Sequence, residues 1–358
     1  MPLESIGMEP NTKNEIENIN DLWDKPYDGL SLEGRSVTLR EYFSEISKYY
    51  DGVFKSTNRI FEQQKIPEGK YILFIDATNG AGLATNPALK KVEDGILKEL
   101  YKSETGNEEI KRLSFQVNNM RYCLGIPKND KRFKHINAYN LREEIPSDYE
   151  ENCVGVVSSG SGADVLEEKP IKDVTNLLMK TALSNFLEKI PKDIPKFGIC
   201  FSAQLMANVY SGAEIDFIYS NKNEEKNKND RERKIGVHQV FKTIEHDFLN
   251  KFKNKFFVGK NHGQEIVGSS ILPHKGEILA TNMDGKVEIL NLKEVNAIAT
   301  QFHPEAGFVR LILGYILEGK EIPEDVLDHV FNRKYDHMRE AFFGAVLQTI
   351  GEHLKAKK

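Results

Sequence analysis

Two widely separated stretches constrain this chain most. The first, Phe197-Gly198-Ile199-Cys200-Phe201-Ser202-Ala203-Gln204-Leu205, reads as a short apolar strand that stops at a cysteine and turns straight into a helix. The second, Gln301-Phe302-His303-Pro304-Glu305, ends another apolar run, Ala297-Ile298-Ala299-Thr300. A cysteine on a sharp strand-to-helix turn is held out of the sheet, and the helix N-terminus beyond it favours the thiolate. A histidine brought alongside by the fold moves the proton, and a carboxylate orients that histidine. Cys200 is therefore the candidate nucleophile, His303 the candidate base and Glu305 its orienting carboxylate. Packing is the ordinary fate of an intracellular cysteine. It is the reading for Cys123, inside a strand-like run, and for Cys153, at the start of one.

Around these stretches, apolar runs alternate with helical patterns. Tyr71-Ile72-Leu73-Phe74-Ile75-Asp76 is a buried-strand signal, with a turn over 77–82 and a helix expected from Asn86-Pro87. The glycines of that turn lack the spacing of a dinucleotide or phosphate-binding loop. Val174 to Ile190 is an amphipathic helix with Leu177, Leu178, Ala182, Phe186 and Leu187 on one face, ended by Pro191 and Pro195. The expectation is an α/β fold over 70–318, with a mainly parallel central sheet and helices on both faces. Strands near 71–75, 153–157, 197–199 and 297–302 should be central, and their C-terminal ends should form one site.

Flanking and inserted segments complete the plan. Residues 1–69 read as a polar arm to about residue 30, which Trp23 and Tyr27 could pin, and then a helical extension with helical spacing over 36–65. Residues 319–358 read as a C-terminal helical extension that packs on the domain or binds a partner. Two insertions are expected, near 105–134 and 221–234. The first contains Leu113 to Ile126, read as a strand or hairpin, and a basic loop over 127–134, read as a solvated turn. The second is nearly all charged or amide and reads as a mobile hairpin loop.

Bulk properties narrow the function classes. The chain has 358 residues, a net charge of -5 and three cysteines without paired spacing. No basic excess points to nucleic acid. The cysteine usage fits a reducing compartment. No leader pattern and no apolar run of membrane-spanning length occur, so a soluble, cytoplasmic chain is expected, with no membrane partner. Nothing has the spacing of a metal site, and no cofactor is expected.

The two stretches resemble the motifs of class I (triad-type) glutamine amidotransferases, Gly-x-Cys-x-Gly-x-Gln and His-Pro-Glu. The match is at Gly198, Cys200, Gln204, His303, Pro304 and Glu305. Gly212-Ala213-Glu214 fits the family's helix-to-strand turn, and the likeness extends over roughly residues 70 to 315. Val154 to Gly162, with Ser158-Ser159-Gly160-Ser161-Gly162, lies where the family has a strand and its Ser-Gly-Gly-Pro-Gly oxyanion loop. The resemblance implies a Cys200–His303–Glu305 triad working through a thioester. It implies an oxyanion hole from the backbone N–H groups of Gly160 and Phe201. It also implies substrate contacts from Gln204 and from Asn261-His262-Gly263. The substrate would be glutamine or a γ-glutamyl small molecule or peptide, with ammonia passed to a synthetase on a separate polypeptide. Two other readings stay open: a stand-alone γ-glutamyl hydrolase or protein-glutamine deamidase or transferase, and a catalytically silent binding module. Ser202, Ser159 and Ser161 replace the family's Gly, Gly and Pro, and Ala203 replaces a frequent His. The Gly-to-Ser change at Ser159 narrows the φ values available, and the loss of Pro at Ser161 is expected to make the loop less rigid.

Overall fold

The computed structural model describes residues 26–32, 35–38, 41, 54–78, 115–127, 129–141, 145–161, 165–166, 174–219, 234–305 and 336–357. Its strands are β1 (Pro26–Leu32), β2 (Arg35–Thr38), β3 (Tyr71–Asp76), β4 (Phe133–Asn137), β5 (Cys153–Ser158), β6 (Lys196–Ile199), β7 (Ile215–Phe217), β8 (Lys234–Lys242), β9 (Lys255–His262), β10 (Gln264–Ile266), β11 (Gly276–Asn282), β12 (Val287–Leu292) and β13 (Ala297–Thr300). The longer helices are α1 (54–63), α2 (Phe115–Cys123), α3 (Val174–Lys189), α4 (Phe201–Ser211) and α5 (Asp336–Ala356).

One sheet of nine strands runs in the order β4-β3-β5-β6-β13-β12-β11-β8-β9. From β4 to β13 every pair is parallel. From β13 to β9 every pair is antiparallel. Of the parallel strands, β3, β5, β6 and β13 are buried along their whole length, because helices cover both faces; β4, at the edge, buries only Ile136. Alternate residues of β3 divide between the two cores. Ile72 and Phe74 join the α2 and α5 side with Met120, Phe342 and Val346. Tyr71, Leu73 and Ile75 join the α3 and α4 side with Leu183, Phe186 and Met206. The fold is the expected α/β architecture, with β3, β5, β6 and β13 in the parallel half and helices in the N- and C-terminal segments.

Two local expectations are corrected. Leu113 to Ile126 does not form a strand or hairpin: residues 115–123 are α2. Its aromatic and β-branched content suggests a strand, but Val117, Met120 and Leu124 are buried at helical spacing, and that period wins. Residues 26–32 and 35–38 are neither polar arm nor helix but the antiparallel pair β1–β2. Helical structure over the N-terminal extension is described at 54–63, where Phe61 enters the α2–α5 core. The expected helix from Asn86-Pro87 and the 221–234 loop lie outside the described residues, apart from Lys234 in β8. Among the described residues, no helix is long and apolar enough to cross a membrane.

Candidate active site

Cys200 stands between β6 and α4 with φ 50° and ψ -109°. A non-glycine residue in this region typically carries about 1–3 kcal/mol of strain, so neighbouring bonds must hold it. The Cys200 N–H donates to the Thr300 carbonyl at 2.7 Å, and the Gln204 N–H donates to the Cys200 carbonyl at 3.0 Å. Gly198 lets the helix fold back over the strand. A Cβ there would come within 2.8 Å of Met206 Sδ and 3.0 Å of the Ala203 backbone.

β13 delivers the second half. His303 is buried, and its N–H donates to the Gly259 carbonyl at 3.0 Å. Its Nδ1 lies 2.9 Å from Glu305 Oε1, and Glu305 is fully buried. The His303 ring is also hydrogen-bonded to the Cys200 side chain. Burial works against the imidazolium, but the neighbouring Cys200 and Glu305 charges and the hydrogen bonds to both outweigh it. The pKa of His303 is raised. By contrast, burial pushes the thiols of Cys123 and Cys153 up to about 11.

Gly160 closes over this pair. A Cβ at Gly160 would lie 2.6 Å from His303 Cε1 and 3.2 Å from Cys200 Cβ, so any side chain would collide with the ring. The serines before it do more than replace glycine. Ser202 Oγ donates to the Ser159 carbonyl at 2.6 Å and lies 2.7 Å from Ser158 Oγ. Ser159 Oγ accepts from the Ala77 N–H at 2.9 Å and donates to the Gly160 carbonyl at 3.0 Å. At residues 158–160, hydroxyl bonds tie the loop to the cysteine turn and to the end of β3. Phe201 opens α4, buried, directly after Cys200.

The other singled-out residues are placed less uniformly. Gln204 is buried, and its Nε2 donates to the Gln264 carbonyl at 2.9 Å. His262 Nδ1 faces the same carbonyl at 2.7 Å. Burial, helped by Lys260 nearby, pushes the His262 pKa down to about 3, so the ring is neutral. Gly263 accepts the Ile218 N–H at 3.0 Å. Asn261 lies in β9 as a strand residue.

Two supporting residues escape a reading of motifs. Arg339 of α5 is buried, donating from Nε to the Pro304 carbonyl at 3.1 Å and from Nη2 to the Glu305 carbonyl at 2.7 Å. Asn119 of α2 donates to the Glu305 carbonyl at 2.6 Å. The one sequence signal was a charged or amide residue inside an otherwise apolar helical stripe.

A thiol, a buried imidazole and a carboxylate in sequence, under a backbone loop, suit nucleophilic attack on a carbonyl with proton transfer to the leaving group. Residues 141–308 match the family model for the class-I glutamine amidotransferases. The chain is 26% identical over 251 residues to the carbamoyl phosphate synthase small chain of Pyrococcus furiosus, a match covering 63% of this chain and 62% of that relative's length. A solved glutamine amidotransferase from Thermotoga maritima is 20% identical with a TM-score of 0.48, covering 80% of this chain and 100% of its own. Residues 141–308, which hold both the cysteine turn and the His-Pro-Glu turn, thus form a class I glutamine amidotransferase domain within this chain.

Proposed function

We propose that the protein hydrolyses the side-chain amide of glutamine through Cys200, His303 and Glu305 and delivers the ammonia to a synthetase on a separate polypeptide. The observation that carries this reading is the buried contact of His303 with both Cys200 and Glu305, at a strained cysteine turn. The Cys200 sulfur attacks the carboxamide carbon, and the oxyanion takes the backbone N–H groups of Phe201 and Gly160. Each such donor is typically worth about 3 kcal/mol of barrier. The C–N bond breaks as His303 gives a proton to the nitrogen, and ammonia leaves. Water then attacks the thioester while His303 accepts its proton. The C–S bond breaks, glutamate departs and the thiol is restored. Glu305 holds the Nδ1–H tautomer and balances the imidazolium. Gln204 and the Asn261-His262-Gly263 stretch frame the substrate, Gln204 and His262 through their shared bond to the Gln264 carbonyl. The likeness to a carbamoyl phosphate synthase small chain supports a synthetase partner.

The test is intact-mass analysis of the protein mixed with glutamine, with γ-glutamyl peptides and with protein substrates, beside ammonia release. A glutamyl adduct on Cys200 with glutamine, absent in Cys200→Ser, is the expected result. An adduct with γ-glutamyl compounds alone selects the hydrolase reading, and none with any substrate selects a silent binding module.

A further inference from the structure

A groove of about 480 Å³ opens between α1, α5 and the start of β9. Its floor is apolar: Phe252, Phe256, Met338 and Ala341 are all buried there. Its rim is basic, with Lys251, Lys253 and Lys255 exposed around it. Among the described residues that line it, Glu340 is the one acid, and its carboxylate takes the Ser56 hydroxyl. No carboxylate among the described residues pairs with the three ammonium groups. In a chain of net charge -5 this is a local reversal of sign. The floor also touches what supports the candidate centre. Phe256 lies edge-on to Phe302, with ring centroids 6.4 Å apart, and Phe302 directly precedes His303. Met338 directly precedes Arg339, which holds the Pro304 and Glu305 carbonyls.

An apolar floor inside a basic rim suits an amphipathic acidic segment laid into it. The chain contains one. Glu15-Ile16-Glu17-Asn18-Ile19-Asn20-Asp21-Leu22-Trp23-Asp24 carries four carboxylates and no Lys or Arg. Ile16, Ile19 and Trp23 recur at three and four, the spacing of one helix face. The segment lies outside the described residues and stops just short of Pro26, where β1 begins. Residues 39–53 join β2 to α1, a connection that can span up to about 50 Å. A folded chain of this length has a radius of gyration of about 20 Å, so the groove is within reach. A segment of the same chain also meets the groove at a high effective concentration, which a free partner lacks.

We infer that Glu15–Asp24 of this chain lies in the groove, with Ile16, Ile19 and Trp23 against its apolar floor and the carboxylates against Lys251, Lys253 and Lys255. Trp23 is the only tryptophan in the chain, so its fluorescence reports this contact alone. In the full chain its emission should be blue-shifted, and its quenching by acrylamide several-fold slower than in a synthetic peptide of residues 12–25. The triple variant Lys251→Glu, Lys253→Glu, Lys255→Glu sets like charges opposite the segment. The three side chains are exposed, so the variant should fold, checked by circular dichroism, and its Trp23 should quench as fast as the peptide. Screening at about 1 M salt, where the Debye length is about 3 Å, should move the wild-type chain part of the way. Peptide-like quenching in the wild-type chain, or slow quenching that the triple variant leaves unchanged, overturns the inference.

Carbodiimide coupling, which joins carboxylates to amines in direct contact, gives a second readout. Peptide mapping should find Glu15, Glu17, Asp21 or Asp24 joined to Lys251, Lys253 or Lys255. In a mixture of isotope-labelled and unlabelled chains, the links should form within one chain only. Links between labelled and unlabelled chains would make a second copy the occupant. No link to these lysines would leave the groove to an acidic segment of another protein. Either result overturns the contact within the chain. Neither measurement uses turnover, so the groove and the proposed activity fail separately.

Discussion

At the scale of single residues, the centre is governed by what surrounds each polar group. Ser202 is the sharpest case. Removing its hydroxyl strands the Ser159 carbonyl, to which it donates at 2.6 Å, and the neighbouring Ser158 hydroxyl. Ser202→Ala should cost about 1–3 kcal/mol of stability by urea titration. It should also lower kcat about tenfold with little change in KM, because the loop over the oxyanion loses its tether. A KM effect alone would place Ser202 outside catalysis. The three thiols should separate under iodoacetamide. Cys123 and Cys153, held near 11 by burial, should label far more slowly than Cys200, read by peptide mass mapping. His262 supplies a pH dependence. Its folded pKa, about 3, lies below the ordinary value of 6.5, so the unfolded chain takes up the proton first. Stability is therefore present above pH 6.5 and lost as pH falls, by about 2 kcal/mol between pH 6.5 and 5 if His262 acts alone. His262→Gln should flatten that slope in urea titrations. An unchanged slope would show that the ring protonates freely in the native state.

At the scale of elements, the parallel strands were the most legible part of the chain. β3, β5, β6 and β13 are covered on both faces, so each reads as an unbroken apolar run. The cysteine turn was legible for the same reason, since a strand that ends at Cys200 and a helix that starts at Phe201 leave no room for a longer loop. The β1–β2 pair and α2 were not, because short segments are decided by tertiary partners rather than by residue preference. Lys196 was equally hidden. It opens an apolar strand, yet its Nζ donates to the carbonyls of Pro191, Ile194 and Val295, each at 2.9 Å. Arg339 has the same character, a charge that becomes intelligible only once α5 lies against the His-Pro-Glu turn. Arg339→Met keeps the volume but leaves the Pro304 carbonyl without this donor and the Glu305 carbonyl with Asn119. The expected outcome is a loss of about 2–4 kcal/mol, as for breaking a buried charged contact. A drop in kcat should persist under conditions where the variant is fully folded, checked by circular dichroism. Full activity in the folded variant would reduce α5 to packing alone.

At the scale of the molecule, one sheet joins two cores, and the centre lies where its parallel half ends and its antiparallel half begins. The groups that the proposed acylation uses lie together in the single chain: His303 is bonded to Cys200 and Glu305, and residues 158–160 are tethered to the cysteine turn. Acyl-enzyme formation should therefore need no partner. Repeated turnover is a different matter. In the proposed function the acceptor for ammonia is a separate polypeptide, and contacts remote from the reacting carbonyl are what align a small substrate and convert binding into rate. The isolated protein should thus form the Cys200 thioester from glutamine, seen by intact mass, yet turn over below about 1 per second, where a typical enzyme reaches about 10 per second. A partner synthetase, or a larger γ-glutamyl substrate, should raise that rate, with Glu305→Gln as the inactive control. Many turnovers per second from the isolated chain would mark a self-sufficient glutaminase. No thioester at all would mean that the tethered loop is not the oxyanion hole, and would return the serine network to a purely structural role.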